Sequence, residues 1–348
     1  MATTDAKSKA HEKMGRPLRV SAFTGGAVVP AARFRVRQYI VPLAGLGVEI
    51  DEMWPGFTAY PPRQTVLRPA WLAGLLAQRA GQVARSWRGD VVLLQREMVS
   101  TLRTLEGLTR RPRILDVDDA IHLLRGGRAA RRLAALADLV VVGNSWLAEV
   151  WRQWTDNVAI LPTGVDTDRY TVEPLPERPV IGWIGTSGNL PYLEALAPAF
   201  GEIVRRFPET VIAVCCDRPP RFSGLPVRFV PWSEAAEAPF LASIGIGVMP
   251  LADGPWERGK CSFKMLQYMA AGRPCVVSPV GMNNDILAQG EIGRAAATSL
   301  EWREALSSLI GDPEAAARMG LAGRKAALEH YSVRVLAPRL GGLLRSLV

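Results

Sequence analysis

The chain has 348 residues, 48% of them hydrophobic, and a formal charge of +9, so it carries enough apolar material for two cores of ordinary domain size. No apolar run approaches the ~20 residues that span a bilayer, and the four cysteines show no CxxC or Cys/His spacing, which argues against a zinc module or a disulfide framework. Most of the positive excess is arginine in the first half; it favours an anionic membrane face or an acidic acceptor, whereas its scatter among apolar periodicities, with no nucleic-acid module, argues against nucleic acid.

Residues 1–16 are polar and lack an apolar h-region, so they read as a disordered lead and not as a signal peptide, which predicts a cytoplasmic protein. Leu18–Phe23 reads as a strand, followed by Gly25 and Gly26. In a doubly wound sheet, ligands bind beyond the carboxyl ends of the strands, which puts this glycine pair at a cleft mouth. Arg33, Arg35 and Arg37 follow on a helix; the reading favours Arg33 or Arg35 toward the cleft and the others in solvent. A second strand spans 47–53. Residues 54–70 form a long Pro- and aromatic-rich loop, where Trp54, Phe57 and Tyr60 either stack on an acceptor or pack beneath the loop.

A helix pattern over 71–88 leads into a strand at 90–95 that ends in Arg96 and Glu97, again at a carboxyl end. The strand at 114–117 runs into Asp116, Asp118 and Asp119. Three carboxylates in four residues suggest a metal–nucleotide site; the alternative is a strand end at which Asp118 or Asp119 caps the next helix. His122 follows and either touches a substrate or packs, while His11 and His330 lie in unpromising places. Residues 138–143 form a strand whose following helix is capped by Asn144 and Ser145. The proline-rich stretch 171–179 is the expected boundary between domains spanning 17–172 and 173–331, with a terminal helix at 332–348.

The second half opens with a strand at 180–184 and the small residues Gly185, Thr186, Ser187 and Gly188, which allow close approach of a phosphate or sugar. Strands at 211–215 and 227–230 follow, the latter leading to Pro231 and Trp232. A strand at 244–251 then precedes a loop with Arg258, Gly259 and Lys260 that opens a helix ending at Gly272. On that helix Phe263, Leu266 and Ala270 face the sheet, while Lys260, Lys264 and Gln267 recur at i, i+4, i+7 on another stripe. Two ammonium groups beside a helix N-terminus make a phosphate site, although a solvated basic face has the same spacing. Cys261, in the same loop, has surroundings that lower a thiol's pKa, or simply packs.

The run PWERGKCSFKMLQYMAAGRPCVVSPVGMN resembles the donor-nucleotide segment of the retaining GT-B glycosyltransferases of family 4, in the subset with an RGKxxxKxxQYM pattern. Ala32–Arg35, the QRE at 95–97, the DVDDAI at 116–121 and the PTGVD at 162–166 are similar to further segments of that family, with Thr163 where Asn is usual. The resemblance covers roughly residues 17–348. It implies an α/β fold of two Rossmann-like domains facing across a cleft, the C-terminal helix crossing back to the first.

It further implies a nucleoside diphosphate sugar as donor, an acceptor glycan, lipid or small molecule, no metal and no cofactor. Lys260 and Lys264 then handle the diphosphate with Arg258, and Gly185, Thr186, Ser187, Cys261 and Ser262 line the donor. Pro231 and Trp232 stand on the base side, Trp232 being equally readable as core. Many members carry two glutamates at the places held here by Gly259 and Gln267; Gln267 retains a ribose contact, while Glu257 or Asp253 replaces the sugar-side carboxylate. On the acceptor side stand Gly25, Gly26, Arg33, Arg35, Arg96, Glu97 and His122, with Asp118 or Asp119 as a base or hydroxyl ligand. The missing glutamate keeps two alternatives open: a non-catalytic binding module, and a sugar-nucleotide epimerase on the same fold.

Overall fold

The computed structural model describes residues 16–27, 29–56 and 61–348, which divide into two compact units: residues up to Leu161 together with Leu336–Val348, and Pro162–Val335. The expected disordered lead over 1–15, and Phe57 and Tyr60 in the aromatic loop, lie outside the described residues. The division falls at Leu161/Pro162, before the proline-rich stretch, because the intervening residues are committed to the second unit. Val165 and Tyr170 are buried in its core, and Val165 exchanges backbone hydrogen bonds with the 331–333 segment (2.9 and 3.1 Å).

The first unit is a six-stranded parallel sheet in the order β2-β1-β3-β4-β5-β6. The strands are β1 Leu18–Phe23, β2 Val48–Met53, β3 Val91–Gln95, β4 Arg113–Val117, β5 Leu139–Val142 and β6 Val158–Ile160. Every residue of β3 and β4 is buried, as in strands covered on both faces; β3 is apolar up to Gln95, whereas β4 encloses Arg113 and Asp116. Helices α1 (Pro30–Arg35), α2 (Arg68–Ser86) and α3 (Ser145–Trp151) belong to this unit. The Asn144 side chain accepts from the Leu147 N–H at 2.8 Å and caps α3 as expected.

The second unit is also six-stranded and parallel, in the order β12-β11-β10-β7-β8-β9. Its strands are β7 Val180–Ile184, β8 Val211–Cys216, β9 Val227–Pro231, β10 Ile246–Met249, β11 Cys275–Val277 and β12 Arg294–Ala295. Helix α4 (Phe263–Ala270) is buried from Met265 to its end, too apolar to leave a broad solvated face. Two helices follow, α5 (Ser299–Gly311) and α6 (Pro313–Ala326), broken where Asp312 caps α6 by accepting from Ala315 N–H at 2.9 Å. Helix α7 (Val333–Arg345) passes its residues from Leu336 onward to the first unit, where Leu336, Leu340 and Leu344 are buried.

All four cysteines are free and buried; burial pushes the Cys215 and Cys275 thiols up to about 12. Among the described residues no helix is long and apolar enough to cross a membrane.

Candidate functional site

In the second unit the strand order reverses between β7 and β10, the position where doubly wound sheets bind ligands. These two strands pair only at Ile181↔Ile246 and Gly182↔Gly247, then part toward their carboxyl ends. Tyr268 of α4 fills the parting. Its hydroxyl donates to Val248 O at 3.0 Å and accepts from Ile184 N–H at 3.4 Å, satisfying backbone groups that have no strand partner. A side chain at Gly247 would collide with the Tyr268 ring, which is why glycine stands there.

The loops leaving β7 and β10 meet above this wedge. The Lys264 chain crosses Gly185 so closely that a Cβ there would lie 2.7 Å from Lys264 Cε, and the Lys264 ammonium sits 5.5 Å from the Trp183 ring centre. Lys260 Nζ lies 3.4 Å from Asn189 Oδ1. The Tyr192 hydroxyl donates to Glu257, whose side chain is nearly buried; burial, then the hydrogen bond to this carboxylate, pushes the phenol up to about 12. Ser187 N–H donates to Asp217 Oδ1 at 2.7 Å and ties the β7 loop to the end of β8, a bond that holds the Asp217 carboxyl below its ordinary value.

Several expectations for this loop change. Lys260 is not part of the helix: residues Pro255–Arg258 form a separate turn, and α4 begins only after Ser262, which adopts a left-handed backbone (φ 51°) while buried. The i, i+4, i+7 stripe is therefore not a helical one, yet both lysines still reach the β7 loop. Gln267 is buried and donates to the Tyr170 hydroxyl at 3.2 Å. Arg258 and Asp253 bind each other through two hydrogen bonds (2.7 and 3.0 Å) at the surface, leaving Glu257 as the carboxylate beside the lysine loop. Gly259 and Cys261 are buried, and Gly281 packs against the Arg258 backbone, where a Cβ would lie 2.6 Å from its carbonyl oxygen. Trp232 is 46% exposed and is not core; its indole N–H donates to Glu237 at 3.2 Å beside the exposed Pro231. Thr186 is exposed.

In the first unit the reversal falls at β1/β3, and Gly25, Gly26, Arg96, Glu97, Asp118 and Asp119 follow the carboxyl ends of β1, β3 and β4. Arg35 does not face solvent or a ligand. It is buried, binds both oxygens of Asp116 (2.9 and 2.5 Å) and donates to Leu161 O at 2.8 Å. The reason is Asp116 itself: burial pushes this carboxyl up while Arg35 pulls it back, and a carboxylate inside a covered strand needs such a partner. Arg33, half-buried, lies 4.7 Å from the Phe34 ring centre.

Arg96 has a left-handed backbone (φ 65°) and lies 3.4 Å from Asp119 and 3.9 Å from Glu97. Burial raises the Glu97 carboxyl. The helical turn from Ile121 has Ala120 at its N-cap position, so neither Asp118 nor Asp119 stands there. His122 is half-buried beside Trp146 and Trp154 (5.5 and 6.2 Å between ring centres), and burial lowers its pKa. Among the described residues no group of three His, Cys, Asp or Glu is arranged to hold a metal.

Two buried residues that shape this edge carried no sequence signal. Arg79 of α2 donates to Thr24 O (2.7 Å), Met53 O (3.2 Å) and Met98 O (3.3 Å), gathering the ends of β1 and β2 and the loop after β3; burial lowers its pKa to about 10. Glu106 accepts from Met98 and Thr104 N–H at 2.8 and 2.5 Å and holds that loop closed. Each occupies a run that reads as ordinary helix or loop.

Two six-stranded parallel sheets with ligand edges of this kind define the GT-B fold, and solved structures of similar architecture bear this out. Sucrose-phosphate synthase from Thermosynechococcus elongatus matches with a TM-score of 0.73 at 15% identity, over 95% of this chain and 99% of that one. Anabaena HepE in complex with UDP and glucose matches at 0.70 and 14% identity, over 95% and 100%. More particularly, residues 178–312 match the family model described as Glycosyl transferases group 1. Over 210 residues the chain is 27% identical to the GDP-mannose-dependent alpha-(1-6)-phosphatidylinositol monomannoside mannosyltransferase of Mycolicibacterium smegmatis, covering 53% of this chain and 55% of that protein. The chain thus spans about half the length of the curated relative it matches.

Proposed function

We propose that this protein is a glycosyltransferase that moves a sugar from a nucleoside diphosphate sugar to an acceptor hydroxyl, with retention at the anomeric carbon and without a metal. The observation that carries the reading is the meeting of Lys260, Lys264 and the N-terminus of α4 with the glycine loop after β7, inside the segment that matches the glycosyltransferase model. The positive end of a helix dipole and two cations suit a diphosphate and the negative charge it gains on leaving.

In this reading the departing phosphate takes the acceptor proton, and the protein supplies alignment and positive charge. Glu257, oriented by Tyr192, meets the sugar hydroxyls that the residue at Gly259 does not. Thr186, Ser187, Cys261 and Ser262 line the donor, Pro231 and Trp232 the base, and Gln267 with Tyr170 the ribose. On the first unit Arg33, Asp118, Asp119, Arg96, Glu97, His122 and the Gly25–Gly26 turn present the acceptor hydroxyl; Arg35 only fixes β4. The acceptor is a glycan, lipid or small molecule, met in the cytoplasm or at the inner membrane face.

The absence of a carboxylate at Gly259 favours one second reading, a binding module that keeps the nucleotide and lacks turnover. Incubation with UDP-, GDP- and ADP-sugars, with and without a chelator, separates the two. Release of nucleoside diphosphate and acceptor glycosylation that survive chelation support the enzyme; tight nucleotide binding with no release from any sugar supports the module.

A further inference from the structure

The outward side of α2 differs from an ordinary surface helix. Residues 54–89 contain five arginines and no Asp or Glu. Arg79 is buried, while Arg63, Arg68, Arg85 and Arg88 are exposed. Between them the solvent-facing positions Ala70, Ala73, Ala77, Ala80 and Ala84 recur at three and four and form one stripe. A helix packed on a sheet normally turns charged residues outward on that stripe.

Large apolar side chains extend the stripe at both ends. The turn that feeds α2, Thr65–Leu67, leaves Val66 81% and Leu67 48% exposed; beyond its last turn Trp87 is 60% exposed. The Trp87 indole N–H donates to Leu108 O at 3.2 Å, which fixes the ring beside Leu108, itself 62% exposed. Arg110 donates to Trp87 O at 3.2 Å from the same side. Among the described residues, the acid paired with these cations is Asp51, at 2.6 Å from Arg85. The surface is apolar along its length, anchored by an aromatic, and cationic at both ends.

We propose that this face docks on an anionic lipid bilayer. Uniform positive charge around an apolar stripe matches acidic headgroups above acyl chains, and a tryptophan whose N–H is already bonded suits the boundary between the two. Helix α2 meets the carboxyl end of β2 at Gln78, Arg79 and Gln82, so its start, with Val66 and Leu67 before it, extends past the same sheet edge that carries Gly25, Arg96 and Asp119. Docking therefore presents the acceptor edge of this unit to the membrane, and the acceptor is lipid-borne. Only that last step rests on the proposed function.

The test is flotation of the full chain with phosphatidylcholine vesicles, alone or with about 30 mol% phosphatidylglycerol, at low and high salt. The wild type is retained by the anionic vesicles, less so in high salt, and not by neutral ones. The pairs Val66→Asp with Leu67→Asp, and Arg63→Glu with Arg68→Glu, each weaken retention about tenfold or more. All four positions are exposed, so these variants keep the wild-type melting midpoint and any nucleotide-dependent shift in it, which separates a failed surface from a failed donor site. Retention equal on neutral vesicles, no retention of the wild type, or variants that float like the wild type overturns the proposal. So does a dimer in light scattering that Val66→Asp dissociates while vesicles bind nothing, since the face is then an interface between copies of this chain.

Discussion

Lys264 occupies the space that a side chain at residue 185 would need: a Cβ on Gly185 would come within 2.7 Å of Lys264 Cε and equally close to the Trp183 ring. The glycine, the lysine and the indole form one packed unit at the β7/β10 parting, with the ammonium held 5.5 Å from the ring centre. The position of the cation is thus set by a residue that has no side chain.

Gly185→Ala tests that dependence. The added methyl displaces Lys264 or Trp183, so turnover should fall by about one to two orders of magnitude, while circular dichroism stays that of a folded protein. A variant with wild-type kinetics would show that Lys264 need not lie where it does.

In the proposed mechanism Lys260→Ala and Lys264→Ala each remove a positive charge that faces the leaving group. Each should lower kcat by about two to three orders of magnitude, the usual cost of losing a preorganised electrostatic partner. Single-turnover kinetics with a donor sugar reads this directly, and near-normal rates in either variant remove that lysine from the site.

Much of this was legible in the sequence because strands and small-residue turns are local. Apolar runs such as VVLLQ and the Gly185–Gly188 turn announce covered strands and their ligand ends without knowledge of the fold. Residue orientation was less legible. Arg33 and Arg35 read alike in sequence, and only the burial of Asp116 two strands away in the sheet decides that Arg35 turns inward. The start of α4 is hidden for a related reason: a left-handed Ser262 breaks a pattern that runs through it, and serine gives no warning of that backbone. Tyr192 and Arg79 act through partners far away in sequence, and Glu106 through nearby backbone N–H groups that no side-chain pattern marks.

Glu257 and Tyr192 should separate sugar recognition from nucleotide recognition. Glu257→Gln is expected to weaken binding of the nucleoside diphosphate sugar about tenfold, as loss of a charged hydrogen-bond acceptor does, and to leave the bare diphosphate bound as before. Tyr192→Phe should act in the same direction and more weakly. Calorimetry with both ligands checks this; equal losses for the two would assign Glu257 to the phosphates or to folding.

Arg35→Met leaves Asp116 buried without its counter-ion and should cost about 3–5 kcal/mol of stability. Adding Asp116→Leu removes the orphaned charge and should restore most of it. Urea unfolding of both variants measures the difference, and a mild single mutant would mean that Asp116 finds another partner.

Stability should also depend on Glu97. Burial raises its carboxyl in the folded state, so the folded protein holds this proton more tightly than the unfolded chain. Its contribution is complete below the ordinary carboxyl pKa and is lost as pH rises through the raised value. Glu97→Gln should therefore gain stability over the wild type near neutral pH and converge with it in acid. A gap that widens in acid would reverse the assignment.

The most direct test of the donor site is a thermal-shift panel of nucleoside diphosphates and their sugars on the wild type and on Lys264→Ala. A ligand that binds only the folded state raises the melting midpoint by mass action. One nucleotide should stabilise the wild type and lose that shift in Lys264→Ala; a panel in which no nucleotide moves the wild-type midpoint would contradict the donor site and the glycosyltransferase reading built on it.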